Sequence, residues 1–103
     1  MAGCLARAED ANRLALAALD PDGRDEIIAV VRYVQEAGGE RAEYAALVED
    51  RCQGFGLDLA LTSRLIEAAR DRGIRFLYAL VTPGNDRMLR LLRGLGLPTR
   101  ASR

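Results

Sequence analysis

The sequence predicts an α+β domain, a mixed, mainly antiparallel sheet carrying helices in the order β-β-β-α-β-α. Three observations lead there. Two apolar runs flank a Pro-Gly turn, the apolar period changes from strand-like to helix-like at Leu57, and a strand-length apolar run returns at Ile74 before a second helical pattern. With 103 residues there is room for one core and one site.

Taken in order, residues up to about Glu9 are expected to form a short helix or a frayed end, within a non-core segment spanning 1–12. The core is placed at 13–97 and a tail at 98–103. "ANRLALAALDPDGRDEIIAVVRYVQ" holds two apolar runs around Asp20-Pro21-Asp22-Gly23, where Pro and Gly sit as turn geometry favours, and so reads as a β-hairpin. Ile27 to Val34 is rich in Ile, Val and Tyr; Gly38-Gly39 breaks it before a third strand from Arg41 to Val48. From Leu57 the residues Leu57, Leu61, Leu65, Ala68 and Ala69 share one helical face, and Gly73 stops the helix. "IRFLYALV", Ile74 to Val81, is nearly continuous in apolar character, which predicts a central strand buried on both faces. Asn85 is a good N-cap for a last helix with Met88, Leu89, Leu91 and Leu92 at helical spacing, ending at Gly94 or Gly96.

Composition narrows the chemistry. Lys+Arg and Asp+Glu are equal at 15 each, so the basic footprint of a nucleic-acid binder is missing. Every cation is arginine, and there is no His, which excludes His acid–base chemistry, a Ser-His-Asp triad and a His-ligated metal. No metal is expected. Ala and Arg richness without Lys points to a GC-rich, bacterial genome. Cys4 and Cys52 lack CxxC spacing and read as reduced thiols; a reactive Cys52 would need a base partner that the sequence does not supply. The start "MAGCLARAEDANRL" has no long apolar stretch and no later run approaches a membrane span, so a cytoplasmic location without membrane contact is expected.

The stretch "RCQGFGLDLAL" places Gly54 and Gly56 between a strand and a helix. Such a turn is a ready anion site, because glycines let the backbone approach and the first helical N–H groups point outward unsatisfied. A dinucleotide fingerprint fails at Leu59, where its third glycine would fall, and no Gly-Lys-Ser/Thr follows for a P-loop. Taken alone, the two glycines mean a tight turn.

The run from Ile27 to Leu97 resembles the GNAT superfamily of acyl-CoA-dependent N-acyltransferases. In that family a strand leads into Q/R-x-x-G-x-G/A, whose backbone N–H groups hold the CoA pyrophosphate; the matching stretch is Gln53-Gly54-Phe55-Gly56-Leu57-Asp58. "AARDRGIRFLYALVTPGNDRMLRLLRGLGL" is similar to the family's helix, buried strand, Asn-led helix and closing signature. The hairpin and "RAEYAALVEDRCQGFGL" most resemble bacterial protein-lysine acetyltransferases of the Pat type. The resemblance implies acetyl-CoA as co-substrate and a primary amine as acceptor, with a protein lysine the leading candidate. It puts Glu43 where such enzymes keep the base that deprotonates the amine, a role suited to a carboxylate on an apolar strand; without the resemblance, Glu43 reads as a solvated edge-strand residue. It further implies that the backbone N–H near Leu47 faces the thioester carbonyl as a one-donor oxyanion site, in a strand that carries a bulge, with Val48 helping to seat the pantetheine arm. Asn85 matches an Asn that contacts the pantetheine.

Three departures shape the expectations. Asp58 stands where the family has Gly or Ala, and Phe55 where Arg is frequent, so a positive charge is absent and a carboxylate sits near the expected pyrophosphate. At about 4–6 Å that costs on the order of a kilocalorie or more unless screened. Leu92 falls where many members carry a Tyr that protonates the thiolate. The chain also starts at about the family's second strand and ends before its last two, leaving sheet edges that predict a homodimer or a place in a longer protein. A non-catalytic CoA-binding or dimerisation module of the same fold is the alternative reading.

Overall fold

The computed structural model describes residues 4–20, 22, 26–37, 39–49, 52, 56–80, 84 and 86–96, with main chain alone at Cys4. Among these run β1 (Cys4–Glu9), β2 (Arg13–Leu19), β3 (Ile27–Gln35), β4 (Arg41–Val48), α1 (Leu57–Asp71), β5 (Phe76–Tyr78) and α2 (Asp86–Gly94). The strands form one sheet in the order β1-β2-β3-β4-β5, antiparallel through β4 and parallel between β4 and β5. The parallel step needs a crossover, and α1 supplies it.

The hairpin expected around Asp20 is present: β2 and β3 pair from Arg13↔Val34 to Leu19↔Ile27, with a register shift at Ala18/Leu19, and Asp20 N–H donates to Glu26 O at 2.8 Å. Two expectations are corrected. The first residues, read as helix or frayed end, form β1 and pair residue by residue with β2 from Cys4↔Leu19 to Glu9↔Leu14. Ala, Arg and Glu favour a helix locally, but six ladder positions beside an existing hairpin outweigh that propensity. The run at Ile74, read as a central strand, gives a three-residue strand at the sheet edge. Its apolar residues divide: Ile74 is buried and Leu77 and Ala79 pack on the core, whereas Phe76 and Leu80 are exposed, with no element covering that side among the described residues.

Period-2 alternation sends Leu14, Leu16 and Ala18 of β2, Val31 and Tyr33 of β3, and Ala42, Tyr44 and Val48 of β4 to one face, where they meet Leu61, Leu65 and Ala69 of α1. Cross-strand register stacks them in rows, with Tyr33 opposite both Leu14 and Tyr44. Each fully buried leucine contributes about 1.5–3 kcal/mol relative to exposure, so Leu14 and Leu65, both at 0% exposure, hold the helix to the sheet. Thr62 is also buried on α1, and its hydroxyl meets the Tyr44 hydroxyl at 2.5 Å. Gly73, at φ 80°, ends α1 in the left-handed conformation and lets Ile74 N–H return to Ala69 O at 3.0 Å, closing the helix. The opposite sheet face, including Val30, Val34, Glu43, Ala45 and Leu47, carries no helix among the described residues. No described helix is long and apolar enough to cross a membrane.

Candidate active site

β4 and β5 pair only over Arg41↔Phe76, Ala42↔Leu77 and Glu43↔Tyr78, after which β4 runs on for five residues without β5 beside it. The strands part at Glu43. Its half-buried side chain lies on the helix-free face, next to Tyr78. The Tyr78 hydroxyl donates to Glu36 Oε2 at 2.6 Å, and the Arg41 guanidinium stands 5.1 Å from the Tyr78 ring centroid. The hydrogen bond to Glu36, followed by partial desolvation and the carboxylates of Glu36 and Glu43, raises the Tyr78 pKa above the usual phenol value.

Backbone parity decides which β4 groups face the opening. Glu36 N–H donates to Arg41 O at 2.8 Å and Glu49 N–H to Ile28 O at 2.9 Å, so odd-numbered residues of β4 bond to β3. The register holds without a shift from Ala29↔Val48 to Gln35↔Ala42, which carries this parity along the strand. Glu40 O, accepting from Arg75 and Phe76, shows that even-numbered groups face β5. The N–H of Leu47 itself therefore points into the β3 ladder opposite Val30, so a donor near Leu47 that faces the opening must belong to an even-numbered neighbour. The reason is that β4 lacks the expected bulge here, and only an extra residue would reverse the alternation. Ala46 and Val48 present their N–H groups toward the opening instead; the sequence reading named Val48 but not Ala46, because the choice depends on register.

At the far end of β4, Gly56 (φ 74°, ψ 14°) turns the chain into α1 and, at the N-cap position, offers that helix no side-chain cap of its own. Its first-turn N–H groups and positive dipole end favour an anion. Asp58 Oδ1 accepts from Leu59 N–H at 2.9 Å, while Asp58 Oδ2 pairs with Arg87 Nη2 of α2 at 3.0 Å. The carboxylate the sequence left unbalanced is thus matched by a cation. Arg87 escaped the sequence reading because nothing local links positions 58 and 87; only the mismatch at Asp58 hinted that a partner was needed. A cavity of about 30 Å³ lies under the pair, lined by Ala46, Asp58, Arg87, Met88 and Leu91. Leu57 and Leu92 are half-buried, and Cys52 is a free, partly buried thiol packed on the core. Gln53, Gly54, Phe55 and Asn85 lie outside the described residues. A wider depression of about 250 Å³ crosses β1–β3 near Ala8, Arg13 and Arg32, away from the strand opening.

A strand opening beside a crossover helix with a glycine-led N-terminus is the arrangement that the resemblance to acyl-CoA-dependent N-acyltransferases implied, and comparison with known proteins agrees. Residues 4–97 match the model of the acetyltransferase (GNAT) family, and the chain belongs to that family. An acetyltransferase of Pseudomonas aeruginosa is 32% identical over 81 residues, covering 79% of this chain and 44% of the relative. The crystal structure of the GNAT domain of Streptomyces lividans PAT superposes with a TM-score of 0.78 at 36% identity, covering 92% of this chain and 57% of that one. The cAMP-binding acyltransferase from Mycobacterium smegmatis gives a TM-score of 0.76 at 28% identity, over 85% of this chain and 28% of that one. The chain therefore spans about half the length of the PAT domain and less than half of the curated relative.

Proposed function

We propose that this chain carries the acetyl-transfer half of an acyl-CoA-dependent N-acetyltransferase, moving an acetyl group from acetyl-CoA to a primary amine, the side chain of a protein lysine in the first instance. The observation that carries the reading is the line of groups along one strand: Glu43 where β4 and β5 part, the Ala46 and Val48 N–H groups beyond it, and the glycine-led α1 N-terminus at the end. Glu43 to Val48 spans about 17 Å at the rise of a strand, the scale of a pantetheine arm laid along β4 with its diphosphate at α1. The resemblance of the hairpin and β4 region to Pat-type protein-lysine acetyltransferases supports the lysine acceptor, and the likeness in fold to the GNAT domain of S. lividans PAT is in keeping with it.

In this mechanism the Glu43 carboxylate removes a proton from the acceptor ammonium. The freed nitrogen attacks the thioester carbon, and the Ala46 N–H donates to the oxygen as it becomes an oxyanion. Collapse expels the CoA thiolate, which is a good leaving group and needs no acid at the Leu92 position. No metal takes part. We further propose that the protein works in the cytoplasm, where two cysteines without CxxC spacing fit a reducing setting.

The test is Glu43→Gln, assayed for thiol release from acetyl-CoA with a lysine peptide. A fall of about 10²–10⁴ in turnover is expected, the range for removing a general base, with acetyl-CoA affinity unchanged. Turnover that survives the substitution refutes the base; wild-type protein that binds acetyl-CoA but never turns over favours the non-catalytic binding module.

A further inference from the structure

Asp58 and Arg87 are the one described ion pair that joins α1 to α2, and both are largely withdrawn from solvent, with side-chain exposures of 18% and 32%. Their position gives the pair a second meaning. It lines, together with Met88, Leu91 and Ala46, the small cavity beside the two helices, and Ala46 is the residue whose N–H faces the strand opening. It also sits in the first turn of α1, where the helix dipole and exposed N–H groups favour an anion, yet the anion now present is the protein's own Asp58.

We infer that Asp58 acts as an internal competitor for the CoA diphosphate, holding Arg87 of α2 against the first turn of α1 until the ligand's phosphates take its place. This rests on the acyl-CoA reading and goes past it by naming the contact that must break on binding. The chemistry permits the exchange without a net loss. In the free protein Arg87 meets one carboxylate; in the bound state the guanidinium meets a doubly charged diphosphate, which accepts its planar fork equally well. The displaced carboxylate remains near the α1 N-terminus, where its Oδ1 already accepts from Leu59 N–H and where a negative charge is tolerated. Leaving that carboxylate beside the diphosphate keeps a like-charge penalty in the bound state, so Asp58 weakens binding twice: it occupies Arg87 beforehand and repels the ligand afterward. The result is a site tuned to a moderate affinity, whose occupancy follows the acyl-CoA supply.

The test compares wild type, Asp58→Asn, Arg87→Gln and the double variant by calorimetric titration with CoA and dephospho-CoA. Asn keeps an oxygen for Leu59 N–H and removes only the charge, so α1 is not left uncapped. Asp58→Asn is expected to tighten CoA binding about five- to tenfold, the scale of one screened charge contact, and Arg87→Gln to weaken it. The double variant is expected to keep only the smaller share of the Asp58→Asn gain that comes from removing the repulsion, because the rest runs through Arg87. The same gain with dephospho-CoA assigns it to the diphosphate; a gain confined to CoA overturns that assignment in favour of the 3′-phosphate. Wild-type binding that Asp58→Asn leaves unchanged overturns the competitor role alone. Binding by Asp58→Asn where wild type shows none supports it, whereas silence from all four proteins overturns the acyl-CoA reading itself and this inference with it.

Discussion

Tyr44 and Thr62 pin the crossover helix to the strand that borders the opening, and removing the pin gives a quantitative test of the fold. The two hydroxyl oxygens are 2.5 Å apart, with Tyr44 4% and Thr62 1% exposed. Burial, opposed by the bond to Thr62, raises the Tyr44 pKa above that of a free phenol, so the hydroxyl stays protonated and able to donate. Tyr44→Phe deletes one partner and strands the Thr62 hydroxyl, at a cost of about 1–3 kcal/mol. Thr62 can turn back to a carbonyl one turn earlier in α1, which favours the lower half of that range. A loss of about 1.5 kcal/mol would lower Tm by roughly 6–12 °C in a domain of this size. Thr62→Val should cost a similar amount by stranding Tyr44, but Tyr44→Phe with Thr62→Val should cost clearly less than the sum, since no polar group is then buried alone. Urea denaturation of the four proteins provides the cycle. Strict additivity, or a Tyr44→Phe protein as stable as wild type, would refute the view that this bond sets the height of α1 above β4.

Other expectations follow from single features. Tyr33 is fully buried and its hydroxyl has no partner among the described residues, so Tyr33→Phe should stabilise by about 1 kcal/mol, read as a rise in the urea midpoint. Glu9 bonds Arg7 and is paired with Arg72, and its carboxyl titrates below the usual value, first through the Arg7 hydrogen bond. A depressed folded pKa stabilises above the unfolded pKa and is lost as pH falls through the folded one; acid titration of Glu9→Gln should therefore show less loss below about pH 4.5 than wild type. β1 and β5 are sheet edges, and Ile27, Leu47 and Phe76 are exposed at 58%, 69% and 56%, so light scattering should report a dimer; a monomer at every concentration would refute edge or face pairing.

Much of this architecture was legible in the sequence because its signals are local. Asp20-Pro21-Asp22-Gly23 announced the hairpin, the change of period at Leu57 announced α1, and Gly73 its end. What stayed hidden depends on partners distant in sequence. β1 was obscured because its residues favour helix and only the β2 ladder makes them a strand. The edge placement of β5 was obscured because an apolar run says both faces are apolar, without saying whether anything covers them. At the site, Glu43 could be singled out through family likeness, but the choice between Leu47 and its even-numbered neighbours turned on strand parity, and Arg87 on a contact twenty-nine residues away in sequence.

The opening beside Ala46 and Val48 offers main-chain donors, which every amino acid except proline supplies. Side chains along this stretch of β4 can therefore change without erasing the donors themselves, so the surface is robust to drift in a way a constellation of side chains is not. The same property makes it fragile to a different class of mutation. Inserting or deleting one residue within β4 would exchange the inward and outward groups along the whole remainder of the strand, and laboratory libraries built on substitution alone would never find that change.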